Sequence, residues 1–95
     1  MGKPEETIEI YLKKKAEAKK FLCYKFVSPG HNGVPDRVII GNGLTVFVET
    51  KAPDGKLRKI QEHRIKEMKK NGAIVYVAYT REQVDEIIET IENST

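Results

Sequence analysis

The residues of this chain best suited to chemistry are Asp36 and the triplet Glu49-Thr50-Lys51. They stand at the outer ends of two apolar runs, Val38-Ile39-Ile40 and Leu44 to Val48, which are joined by Gly41-Asn42-Gly43. A hairpin is the expected conformation, and it brings both carboxylates to one end of a sheet. Side chains alternate along a strand, so Glu49 and Lys51 project together, whereas Thr50 points away and offers only its backbone on their side. Carboxylate oxygens are hard ligands that suit Mg²⁺ or Mn²⁺ better than zinc. Asp36 and Glu49 are the expected ligands, with the Thr50 backbone carbonyl as a third. Water on such an ion has a depressed pKa, and the ion neutralises charge on a phosphoryl oxygen in the transition state. Lys51 is placed to orient or deprotonate the attacking water, or to contact the phosphate. Taken singly, Asp36 caps a loop after Pro35, and Glu49 with Lys51 is an exposed pair worth roughly 0.2–1 kcal/mol. The combination shifts the balance: Glu49 interrupts the apolar run Val46-Phe47-Val48, and a charge forced into a buried strand usually has a job.

The elements that position these residues follow from pattern. Pro4, the early acids Glu5, Glu6 and Glu9, and the later lysines predict a helix over residues 4–20. Ile8, Leu12 and Ala16 form its apolar stripe. On a helical wheel Glu5 and Glu9 border that stripe and Glu6 faces away, so Glu9 or Glu5 looks toward the interior. Residues 22–28 read as a strand with apolar groups on both faces, followed by a Pro- and Gly-rich loop that leads into Asp36. Residues 57–71 read as a second helix whose buried stripe carries Gln61 and Arg64; a polar group there needs a partner. Residues 73–79, AIVYVAY, read as the clearest buried strand. Thr80-Arg81-Glu82-Gln83 reads as a capping box opening a last helix with Val84, Ile87, Ile88 and Ile91 on one face. The predicted order is α-β-β-β-α-β-α, an α/β fold with a small mixed sheet flanked by helices on both faces.

Ninety-five residues support one domain spanning 1–95, without room for a separate recognition domain. The 17 Lys and Arg against 14 Asp and Glu give a net charge of +3, which permits a polyanionic partner without proving one. The single cysteine, Cys23, excludes an internal disulfide and a cysteine-based zinc site, and fits a reducing environment. No leader-like or bilayer-length apolar run is seen, so a cytoplasmic protein without membrane contact is expected. The two histidines, His31 and His63, lack partners for nucleophilic or zinc chemistry. Arg37, Lys56, Arg58 and Arg81 are among the candidate phosphate contacts, although most such charges are merely solvated.

Pro35-Asp36 followed by Glu49-Thr50-Lys51 resembles the PD-(D/E)XK signature of metal-dependent nucleases. The wider text, YKFVSPGHNGVPDRVII and VFVETKAPDGKL with Gln61, resembles the VRR-NUC family across nearly the whole chain. The bare pattern is loose, and the flanking residues make it specific. The resemblance implies a restriction-endonuclease-like core, Asp36 and Glu49 as metal ligands, Lys51 as the catalytic lysine and Gln61 beside the site. It also implies an acidic ligand from the first helix, with Glu9 preferred over Glu5. Ser28 and the loop from Gly30 to Gly33 would approach the nucleic-acid backbone, with His31 either touching phosphate or facing solvent.

The expected function is an Mg²⁺- or Mn²⁺-dependent endonuclease acting on DNA. Stand-alone family members resemble junction resolvases, so branched DNA such as a four-way (Holliday) junction is the expected substrate and a homodimer the expected assembly. Rival readings are a flap-cutting, nicking or nonspecific nuclease with a larger partner, and a silent nucleic-acid-binding module.

Overall fold

The computed structural model describes residues 6–94. Seven elements follow in order: α1 (Ile8–Ala18), β1 (Leu22–Lys25), β2 (Arg37–Gly41), β3 (Leu44–Thr50), α2 (Lys59–Lys70), β4 (Ile74–Ala78) and α3 (Arg81–Glu92). The predicted α/β order is therefore present. The four strands form one sheet in the order β1-β2-β3-β4. The first two pairings are antiparallel, and β4 lies parallel to β3, making the sheet mixed.

The hairpin closes more tightly than expected. Gly41 pairs with Leu44, so only Asn42 and Gly43 make the turn. Their φ values of 50° and 83° are those of a type I′ turn, whose twist matches the flanking strands. This register sets Arg37 opposite Val48, and so brings Asp36 to the end of β2 beside Glu49 and Thr50.

One sheet face carries Cys23, Ile39, Val46, Val48 and Ala78, which pack with Leu12 and Ala16 of α1 and Val84, Ile87, Ile88 and Ile91 of α3. The α3 spacing thus gave its buried face correctly. Glu49 follows Val48 and so turns to the other face, where it meets Gln61 of α2; α2 therefore covers the opposite face, packing against β4. That cover is partial. Leu22 and Tyr24 are 46% and 54% exposed, because β1 is an edge strand remote from α2.

Several boundaries differ from expectation. Pro4 and Glu5 lie outside the described residues, and among those described the first helix opens at Thr7, whose Oγ1 accepts from Ile10 N at 3.1 Å. β1 ends at Lys25; Phe26 N still donates to Asp36 O at 2.8 Å, and residues 27–28 lie outside the strand. The run 73–79, read as the clearest buried strand, forms an edge strand, Ile74–Ala78, in which Ile74 is exposed and only Val75 and Ala78 are buried; its apolar run reflects cover on both faces, not central position. Among the described residues no helix is long and apolar enough to cross a membrane.

Candidate active site

Glu49 is the unusual residue of the sheet: a carboxylate only 2% exposed near the end of β3. Its Oε2 accepts from Gln61 Nε2 at 3.0 Å and lies 3.7 Å from Lys51 Nζ. Gln61 is itself fixed, because its Oε1 accepts from Arg58 N at 2.8 Å at the start of α2. This sets the amide's orientation, since the reverse one would put its NH₂ against a backbone N–H. Gly33 lets the preceding loop lie directly on the same turn: at φ 88°, a Cβ there would stand 2.7 Å from Ile60 O.

The other oxygen, Glu49 Oε1, is buried with no hydrogen-bond partner among the described residues. Burial, followed by the nearby Asp36 charge, pushes the Glu49 carboxyl up to about 7, against the opposing pull of the Lys51 ammonium. An orphaned oxygen on a disfavoured carboxylate is the donor that a cation would satisfy. Asp36 is held by two donors from one residue: Thr50 N at 3.2 Å and Thr50 Oγ1 at 3.0 Å both reach its Oδ2. The Thr50 side chain, on the sheet face away from Glu49 and Lys51, anchors the second carboxylate. Strand alternation could not reveal this, because Asp36 precedes β2 and its side chain is free of the pleat.

Asp36, Thr50 and Lys51 open into a cleft of about 780 Å³, whose other walls include Glu6, Thr7 and Glu9 from the start of α1 and Thr80, Arg81 and Glu82 from the start of α3. The cleft lies beyond the carboxyl ends of the parallel pair β3 and β4, a common ligand position in α/β sheets. Lys51 N donates to Ala78 O at 2.9 Å, extending that pairing to the cleft floor.

Glu9 reaches the cleft, yet its Oε2 is engaged by Arg37 Nε at 2.9 Å and Lys25 Nζ at 3.4 Å. Arg37, expected at phosphate, is here 15% exposed and committed to this pair. Glu6, which the wheel turned away, lines the cleft; residue 6 precedes the Thr7 cap, so helical angles do not apply to it. Among the described residues no three His, Cys, Asp or Glu side chains cluster as a ready metal cage. The donor set nonetheless fits a hard cation, with two carboxylates converging, one oxygen unpartnered and strand backbone between them.

The remaining predicted contacts lie outside the cleft lining. Ser28 Oγ and His31 Nδ1 are 3.1 Å apart across a turn closed by His31 N to Ser28 O at 3.0 Å. Gly30 has φ 81°, and no atom lies within 4 Å of where a Cβ would stand, so this turn is open on that side. Lys56 is exposed on the loop before α2. Arg64 donates to Asn32 O at 2.9 Å and so ties the loop to α2.

No protein-family model matches the chain. Over 53 residues it is 47% identical to a protein of Acyrthosiphon pisum secondary endosymbiont phage 1 named "Putative nuclease p44". The match takes in 55% of this chain and 57% of that protein, so the chain spans little more than half of the phage protein's length. A solved structure described as a VRR_NUC domain superposes with a TM-score of 0.75 at 33% identity, covering 83% of this chain and 87% of the other.

Proposed function

The chain belongs to the VRR-NUC family of nucleases, and on that premise we propose that it is a divalent-metal-dependent endonuclease that hydrolyses DNA phosphodiester bonds where the cleft lined by Asp36 and Lys51 meets the buried Glu49. The single observation that carries this reading is the buried Glu49 carboxyl with its unpartnered Oε1 beside Asp36 and Lys51. Asp36, Glu49 and the Thr50 carbonyl would hold Mg²⁺ or Mn²⁺, with Glu9 as the helix acid. Such an ion, when bound, supplies charge neutralisation at the phosphoryl oxygen and an acidified water.

The chain's own groups do the rest. Gln61 orients Glu49 by donating to one oxygen, which leaves the other for the cation. Thr50 holds Asp36 in place. Lys51, tethered by its backbone to β4 and 20% exposed, orients the attacking water or contacts the phosphate as an ammonium. Ser28, Gly30, His31 and Lys56 form the outer contacts to the nucleic-acid backbone, from the loops on either side of Gln61.

Branched DNA is the proposed substrate, since two symmetric copies could read shape and cut two strands. The uncovered sheet face supports a second copy: Leu22 stands opposite Ile40, and Tyr24 opposite Val38. Leu22, Tyr24 and Ile40 are all exposed large apolar side chains. Incubation with Mg²⁺ or Mn²⁺ and labelled four-way junction, flap, linear duplex and single-stranded DNA tests the reading. Symmetric junction incision is expected from wild type, and none from Asp36→Asn, Glu49→Gln or Lys51→Ala. Cleavage that persists in all three variants would identify a contaminant and remove the proposal. Sedimentation of wild type against Tyr24→Glu tests the dimer.

A further inference from the structure

The cleft carries more acid than base: Glu6, Glu9, Asp36 and Glu82 line it, against Lys51 and Arg81. A nucleic-acid strand is a polyanion, so it enters such a cleft only where cations are aimed at it. Lys51 is drawn toward Glu49 at the floor. Arg81 stands on the α3 wall, and it differs from the chain's other well-placed arginines. Arg37 is held by Glu9, and Arg64 by Asn32 O and Glu67; these two are 15% and 18% exposed, whereas Arg81 is 54% exposed.

Arg81 is also braced. Its guanidinium carbon lies 5.1 Å from the centroid of the Tyr11 ring, a cation–π distance. The ring is fixed in turn by Tyr11 Oη donating to Asp85 Oδ1 at 2.8 Å. Glu6 Oε1 approaches Arg81 Nη2 only to 3.7 Å, too far for a hydrogen bond. A guanidinium seated on an aromatic face, with no hydrogen-bond partner for its donors among the described residues, presents a planar fork suited to two phosphate oxygens.

Resting on the nuclease reading above, we infer that Arg81 is the phosphate-contacting residue of the cleft, gripping the backbone of the strand that lies over Asp36 and Lys51. Tyr11 and Asp85 are its positioning residues, and the grip fixes how the strand crosses the cleft from the α3 side.

The test is equilibrium binding of fluorescein-labelled duplex and four-way junction DNA by the full chain, in an Asp36→Asn background that keeps the DNA intact, across a salt series. Wild-type cleavage is measured in parallel. Removing one phosphate contact reduces the magnitude of the log K against log salt slope by about 0.9 and weakens binding roughly tenfold at 0.1 M salt. That is the result expected of Arg81→Ala. Arg81→Lys keeps the charge and so the slope, but loses the fork, and its affinity falls several-fold. Lys19→Ala is the control, since it removes the same charge from the residue paired with Glu92, outside the cleft; it leaves both readings unchanged. If Arg81→Ala matches its parent or Lys19→Ala while wild type still binds and cuts, the inference is overturned and the nuclease reading stands. If wild type neither binds nor cuts either DNA, both fall together.

Discussion

The two ends of the β2–β3 hairpin are built from the same two strands and do opposite things. At the turn, Asn42 Nδ2 donates to Ile91 O at 2.8 Å and Glu92 O at 3.0 Å, closing the carbonyl end of α3. Its polar groups are satisfied, and the turn ties the hairpin to the core helix. At the open end, Glu49 is buried, its Oε1 has no partner among the described residues, and its carboxyl is raised to about 7. One end holds the fold together; the other works against it, which accords with the proposed active site there.

The sharpest way to break this comparison is at the open end. Lys51→Ala is expected to lose about 10²–10⁴-fold in single-turnover cleavage, the usual range for a positioned acid–base group, with an unchanged far-ultraviolet spectrum. Loss of the folded spectrum instead would make the open end structural, like the turn. Glu49→Gln should separate stability from activity. The folded state disfavours the Glu49 carboxylate, so wild type loses stability as pH rises from about 4.5, with the loss complete above about 7. In metal-free buffer at pH 8 the variant is therefore expected to be more stable by about 2–4 kcal/mol, with the gap vanishing below pH 4.5. Urea titrations at several pH values measure it, and added Mg²⁺ should narrow the gap by stabilising wild type.

The turn gives the converse. Asn42→Ala removes the α3 cap and places alanine at positive φ, and an expected loss of about 1–2 kcal/mol in urea unfolding should leave kcat for the surviving folded protein unaltered. A large fall in kcat would show that the two ends are coupled. The smallest effect is expected of Thr50→Val, which removes the hydroxyl from Asp36 Oδ2 while keeping the backbone donor. Cleavage should fall several-fold, about 1 kcal/mol, with kcat affected more than KM because the reacting geometry is loosened.

Much of this was legible in the chain because it depends on local rules. The alternation around Glu49 placed it beside Lys51, and the two apolar runs with Gly41-Asn42-Gly43 between them made the hairpin. The polar Gln61 in an apolar stripe announced a buried partner, which proved to be Glu49. The Thr80 cap and the Ile87, Ile88 and Ile91 spacing likewise gave α3 its start and buried face.

What sequence by itself determined about this protein, then, is its elements and the acids and lysine gathered at one strand end, since turn chemistry and side-chain period act over a few residues. Tertiary structure alone decided the rest. Arg37 took Glu9, Thr50 reached Asp36 with its hydroxyl, and Glu6 and Arg81 came to line the same cleft. Each of these depends on how α1 and α3 pack on the sheet and on residues just outside regular structure. There neither the helical angle nor the strand pleat dictates where a side chain points, and long-range contact selects among the rotamers that local rules leave open.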